Sequence, residues 1–490
     1  MDDAIVIGSG PNGLSAAVTM ARAGLRVRVF ERAATVGGAA RTLPLTLSGF
    51  RHDVGAAVHP LALASPFFRA FELERRMQFV IPEVSYTQPL AGAQGAAAFR
   101  DLALTAEQLG RDGTAWLRLF RPLVEHIDGV TDFTASQMLR WPRDPVTALR
   151  FGLRALEQGG PLWNARFRED AAPALLTGVI AHSIGRMPSL ASAAVGLTLA
   201  AHGHARGWPV PVGGSQSIID AMADDLAAHG GVIEVGREVT DVRELGDARI
   251  IIADTSAKAL ARLARDVLPD RYVRRLSRLR YGDAVAKVDF ALDGPVPWAF
   301  EHARRSPTVH LGGTRRRIQR AEQAVVAGRI PSDPYVLVSQ PTIVDPTRAP
   351  AGKHVLWAYI HVPRDSPHDP TEDVIRAVEA AAPGFRELIL ASTSHTARDL
   401  EGIDPNLVGG DISAGAITLP QLIARPRLSP RPWRTPRRGL YLGSSSTPPA
   451  SGVHGLSGFY AARLALRDVL RLPVPDLGVD AVRTTLSARG

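Results

Sequence analysis

Gly8-Ser9-Gly10-Pro11-Asn12-Gly13 and, 18 residues past Gly13, Glu31 are the residues whose types and spacing most clearly carry chemistry. Gly8 permits a tight turn, Gly10 lets backbone approach a pyrophosphate, and Gly13 lets a helix lie close to a strand. A helix opening at Pro11 and Asn12 would point free N–H groups and the positive end of its dipole at the diphosphate. Glu31 is placed to accept hydrogen bonds from both hydroxyls of an adenosine ribose, and its charge disfavours a 2′-phosphate there. The chemistry predicted is binding of a dinucleotide that lacks that phosphate.

The elements that must hold these residues flank them. Residues 4–7 form an apolar run, 14–23 a helical pattern stopped by Gly24, and 26–30 an alternating strand that ends at Glu31. Beyond Glu31-Arg32 come Gly37-Gly38 and then Arg41-Thr42. Two glycines let a loop pass against a diphosphate, and Arg41 can offset its charge. At the other end, residues 438–443 read as a strand entering a turn at Gly443 and Ser444, followed by a polar loop to Gly452. Val453-His454-Gly455-Leu456 then opens a helix over 459–466.

The run from Glu31 to Thr42 resembles the extended FAD fingerprint of the amine oxidase and phytoene desaturase superfamily, and the run from Gly443 to Leu456 resembles the C-terminal FAD motif of the carotenoid and retinoid oxidoreductase family. Intervening runs extend this similarity along nearly the whole chain, among them Trp208-Pro209-Val210-Pro211-Val212-Gly213-Gly214, Ala286-Lys287-Val288-Asp289-Phe290, Val309-His310-Leu311-Gly312-Gly313 and Trp357-Ala358-Tyr359. They resemble the phytoene dehydrogenase-like group around pyridine nucleotide-disulfide oxidoreductase domain-containing protein 2. The resemblance implies FAD as cofactor, held by Gly8, Gly10, Pro11, Asn12, Gly13, Glu31, Arg32, Gly37, Gly38, Arg41, Gly443, Ser444, Val453, His454, Gly455 and Leu456, with backbone at Val239 meeting the adenine. It also places His454 at the flavin pyrimidine, as first choice for a catalytic group, with His59 and His310 next as walls of the active site.

The implied activity is dehydrogenation of a hydrophobic polyene, isoprenoid or lipid-like molecule, by hydride transfer to flavin N5. Carotenoid ketolase, retinol-saturase-like, isomerase or amine oxidase chemistry, and a non-catalytic flavin-bound regulator of a membrane complex, stay open at this point. So does the electron acceptor: oxygen, a quinone or NAD. Disulfide reduction is excluded despite the group's name, because the chain contains no cysteine. No metal-binding motif is present, so no metal is expected.

The 490 residues predict a doubly wound, Rossmann-like α/β FAD-binding domain, discontinuous in sequence, with an inserted α+β substrate domain. Its segments are expected at 1–79, 206–282 and 405–490. A mainly helical substrate or lid lobe is expected over 80–205 and a mixed sheet over 283–404. Residues 232–235, 239–242 and 249–254 read as strands. The net charge is +9, but only Lys258, Lys287 and Lys353 are lysines, and the arginines are scattered, so no nucleic-acid partner is expected. The start is too acidic and its apolar run too short for a signal peptide, and no apolar run is long enough to span a bilayer. The expectation is a protein that stays in the cytoplasm or touches a bilayer only peripherally. Residues 425–438, with six Arg, four Pro and no acid, read as an extended solvated connector that could meet anionic lipid. Arg315-Arg316-Arg317 reads as a wet helix face.

Overall fold

The computed structural model describes residues 2–479. Ala4–Ile7 is buried along its whole length, as a parallel strand covered on both faces must be. It forms the middle of a five-stranded parallel sheet ordered Leu440–Leu442, Ile250–Ala253, Ala4–Ile7, Val27–Phe30, Val232–Glu234. Helices Pro11–Arg22, Gln216–Ala228 and Leu456–Ala465 share one core with Val6, Leu14, Ile218, Ile252 and Leu464. On the other face, helices Ala257–Leu263 and Asp270–Ser277 pack with Ile5, Ile7, Ile251, Leu260 and Leu276. Helices on both faces of a parallel sheet make the doubly wound α/β fold, and its strands come from three separated stretches of chain.

A second sheet has seven strands, ordered Ile389–His395, Ala284–Leu292, His354–Val362, Val336–Ser339, Thr308–Leu311, Val84–Pro89, Gly95–Phe99. Its pairings are antiparallel except for a parallel contact at Val309 and Thr87. Side chains alternate with period two. Ala286, Val288, Phe290, Ala358 and Ile360 enter a core shared with helix Thr371–Ala381. Val285, Leu337, Trp357 and Tyr359 face the opposite core, built with helices Gly113–Val124, Ala171–Ile180 and Leu190–Arg206.

Four local readings change. The segment read as mainly helical opens with strands Val84–Pro89 and Gly95–Phe99, the second of which is Ala-rich, a poor strand former held by tertiary pairing. Residues 239–242 are not a strand: Asp241 and Glu244 form a capping box that starts the turn Val242–Leu245. Arg315 is buried, and its guanidinium donates to Thr177 Oγ1 at 2.8 Å and to the Trp163 carbonyl. Arg425 is also buried, donating to the carbonyls of Ser413, Gly415 and Ser445. Arginine reaches such places when fixed carbonyls satisfy its fork of donors. Among the described residues, no helix is long and apolar enough to cross a membrane.

Candidate functional site

The glycine turn is assembled by close backbone approach. A Cβ on Gly13 would lie 2.1 Å from the Gly8 carbonyl oxygen, and one on Gly10 would lie 2.8 Å from Asp254 Oδ2. The Gly37–Gly38 loop crosses this turn, bringing Gly38 against Gly10. Arg41 is buried and donates to the carbonyls of Gly38 (2.8 Å) and Ile403 (3.1 Å), with no carboxylate hydrogen-bonded to it among the described residues. Among the described residues it makes no close ion pair, with the buried Asp404 as a nearby opposite charge. Arg32, beside it, donates to Gly402 O at 3.3 Å. Glu31 accepts from Ser9 N (2.9 Å) and Ser9 Oγ (2.7 Å) at one oxygen and from Ala33 N (2.7 Å) at the other. Of the roughly four lone-pair sites of the carboxylate, both on Oε2 and one on Oε1 are taken, so Glu31 is held in place with Oε1 still able to accept.

The two chain ends converge on this turn. Ser15 Oγ donates to the Gly455 carbonyl at 2.5 Å, and a Cβ on Gly458 would fall 1.7 Å from the Asn12 carbonyl oxygen. Helices Pro11–Arg22 and Leu456–Ala465 therefore touch through their first turns. Gly443 ends the strand Leu440–Leu442 and is pressed on Ile252, and Ser444 Oγ accepts from Ser446 N at 3.2 Å. Asn12 Nδ2 reaches Ser445 Oγ at 3.5 Å, while Asn12 Oδ1 is buried with no partner among the described residues. An orphaned amide oxygen between two helix N-termini is what a site for a polar ligand leaves behind. The residues present fit an FAD diphosphate and ribose.

One cavity of about 610 Å³ starts here and continues between the two sheets. Gly8, Gly10, Pro11, Asn12, Glu31, Arg32, Gly38, Arg41, Val239, Ser444, Val453, His454 and Leu456 line it, whereas Gly13, Gly37, Gly443 and Gly455 lie just behind its wall. Beyond the nucleotide end its walls are mainly apolar, with Leu61, Phe133, Phe151, Val195, Leu199, Trp208, Leu337, Trp357 and Tyr359, interrupted by His59, His182, His202 and Lys287. Among the described residues the acids that line it are Glu31, Glu238, Asp254 and Asp404, all at the nucleotide end.

The histidines separate by role. His454 lines the cavity, but its Nδ1 accepts the Leu456 N–H at 3.0 Å and its Nε2 donates to the Ala450 carbonyl at 3.2 Å. It is a cap on the helix Leu456–Ala465, with no ring nitrogen left to move a proton. His310 does not line the cavity. It reaches it only through His182, whose Nε2 hydrogen-bonds to His310 Nε2 at 3.0 Å. His59 does line the cavity, and because Ser215 Oγ donates to the Ala56 carbonyl, His59 Nε2 must donate to Ser215 Oγ at 2.7 Å. Its Nδ1 is then the acceptor nitrogen. Burial pushes His182 and His202 down to about 3 and His59 and His454 down to about 4, so all four are neutral at pH 7.

Comparisons with known proteins place the chain. Residues 6–71 match a family model described as an NAD(P)-binding Rossmann-like domain. The chain is 26% identical to pyridine nucleotide-disulfide oxidoreductase domain-containing protein 2 of Rattus norvegicus, over 95% of this chain and 94% of that one. It is 27% identical to a phytoene dehydrogenase of Streptomyces griseus, over 82% and 80% of the two chains. This chain is a homologue of the phytoene dehydrogenase-like oxidoreductases. A putrescine oxidase structure with putrescine bound shares the fold, with TM-score 0.57 and 16% identity over 96% of this chain and 99% of that one.

Three residues of the site escape sequence reasoning. Asp254, at the end of strand Ile250–Ala253, accepts the Gly13 N–H at 2.7 Å. Lys287 is buried in the cavity wall, paired with Asp289 at 2.8 Å and donating to the carbonyls of Asp53 (3.1 Å) and Val54 (3.0 Å). His182 sits in the turn Ala181–Ser183. The signal for Lys287 was available: in an alternating strand it shares a face with Val285. Nothing in the sequence around His182 points to it.

Proposed function

We propose that the chain is an FAD-dependent oxidoreductase that dehydrogenates an uncharged hydrophobic substrate of polyene, isoprenoid or lipid type. The observation that carries this reading is the continuity of the cavity, from the glycine turn and Glu31 to a mainly apolar chamber with no carboxylate among the described residues of its wall. Bound FAD would supply the hydride acceptor.

The chain does the rest. The first turn of helix Pro11–Arg22, Asn12 and Arg41 would hold the diphosphate, and Glu31 the ribose. The free N–H groups opening helix Leu456–Ala465, kept in line by His454, favour negative charge at that end of the site. The apolar walls orient the substrate and keep water out. His59, neutral and with Nδ1 as acceptor, is the group placed to accept a proton from a substrate.

The aromatic pair Trp357 and Tyr359, edge to face at 5.2 Å, would also suit amine oxidation. The Lys287 ammonium lies 5.7 Å from the centre of the Trp357 ring, however, and already occupies the Asp289 carboxylate, so an ammonium substrate would meet a like charge whose counter-ion is taken. The test is spectroscopic and chemical. The purified protein should absorb near about 450 nm through bound flavin, and that band should bleach anaerobically with neutral polyenes or isoprenoids that gain a double bond. A colourless protein that takes up no added FAD overturns the cofactor, and turnover confined to amines overturns the substrate class.

A further inference from the structure

Helix Pro145–Gly159 is apolar on two opposite faces. Thr147, Phe151 and Ala155 are buried, and Phe151 lines the cavity. On the other side Val146, Leu149, Leu153 and Leu156 are 56%, 64%, 56% and 55% exposed. At about 100° per residue these four fall within an arc of roughly 80°, a single stripe along the helix. Trp141, 84% exposed, precedes the stripe and Leu162, 66% exposed, follows it. Scattered exposed leucines need no explanation, but a contiguous apolar stripe of this kind costs solubility unless something covers it.

We propose that this face docks onto an anionic lipid bilayer, with the helix lying in the plane of the interface. Three features select a bilayer over a second copy of the chain. The stripe lies on the exposed side of one helix, and its side chains can sink into acyl chains without a complementary groove. Arg143, with its side chain 90% exposed and its Nε 3.8 Å from Asp132, and the exposed Arg150 flank it, while Glu157 is paired with Arg166 and Asp144 accepts from Thr147 Oγ1. Basic residues beside an apolar stripe and a tryptophan at its end are the pattern of interfacial helices. The segment 425–438, basic as it is, is less suited: Arg425 and Trp433 are buried and Arg434 pairs with Asp468.

Binding is measured on the full chain with no substrate present, so its outcome is separate from that of the flavin assignment. The probes are vesicles of phosphatidylcholine alone and of phosphatidylcholine with phosphatidylglycerol. Of the seven tryptophans, the six others are buried, so acrylamide quenching of fluorescence reports chiefly on Trp141. The expected result is co-flotation with the anionic vesicles, weakened by salt, with loss of Trp141 quenching. The double variant L149E/L153E alters exposed side chains only, and should cut vesicle partitioning by more than about tenfold while its melting temperature and flavin content stay unchanged. Failure of the native chain to float, or equal flotation of the variant, overturns the proposal. So does a native dimer that L149E/L153E splits, because a second copy would then be the cover.

Discussion

The Asp254 carboxylate accepts the Gly13 backbone N–H at 2.7 Å, tying strand Ile250–Ala253 to the helix that opens the nucleotide site. Burial, with the nearby charges of Asp404 and Glu31 adding to it, pushes Asp254 up to about 8 from an ordinary 3.8. The folded protein therefore keeps a proton that the unfolded chain gives up, and this contribution to stability is lost as pH rises from about 4 through about 8. Asp254→Asn, which keeps an acceptor for Gly13, should be more stable relative to native protein at pH 8.5 than at pH 5. Thermal melts at the two pH values check this, and an unchanged difference would show that Asp254 does not titrate in that window.

The buried histidines act in the opposite sense. His59, His182, His202 and His454 lie at about 3 to 4 in the folded chain against an ordinary 6.5. The unfolded chain takes up these protons first, so stability is intact above pH 6.5 and lost as pH falls towards 4. Ellipticity followed against pH should show cooperative unfolding in that interval. Replacing His202 by Leu should move the midpoint to lower pH.

Lys287 and Asp289 are both buried and 2.8 Å apart. Lys287→Met leaves the Asp289 carboxylate buried without its partner, at a cost of about 3–5 kcal/mol. Combining it with Asp289→Leu should regain most of that loss. Urea denaturation of the four members of the cycle measures the coupling; additive single effects would rule the pair out as a stabilising unit.

His454→Ala removes the acceptor of the Leu456 N–H and should cost about 1 kcal/mol, as the loss of a helix cap does. His454→Asn, which can restore the cap, should recover it. Once an active substrate is known, kcat should fall far less than the 10²–10⁴-fold that loss of a proton-transferring group produces. A drop of that size at unchanged melting temperature would return His454 to a catalytic role.

The legible part of this protein was local. Gly8, Gly10, Gly13 and Glu31 sit within one strand, helix and strand, so their relation follows from chain geometry. Legibility failed where partners are distant in sequence. Strands Val84–Pro89 and Gly95–Phe99 owe their form to the sheet they join, and His310 was singled out although His182, 128 residues away, stands between it and the cavity. Arg425 looked like part of a solvated connector because no sequence shows the carbonyls of Ser413, Gly415 and Ser445 that receive it.

The sequence by itself determined the glycine turn, the acid that ends the second strand and the exclusion of cysteine chemistry, since each depends on residue type and short-range spacing. Tertiary structure alone decided which histidine ends as a helix cap and which faces the chamber, and that Lys287 and Asp254 lie in the wall. It also decided that, among the described residues, the acids lining the cavity gather at the end with the glycine turn. Such properties depend on desolvation and on partners supplied by remote segments, and neither exists until the two sheets close around the cavity.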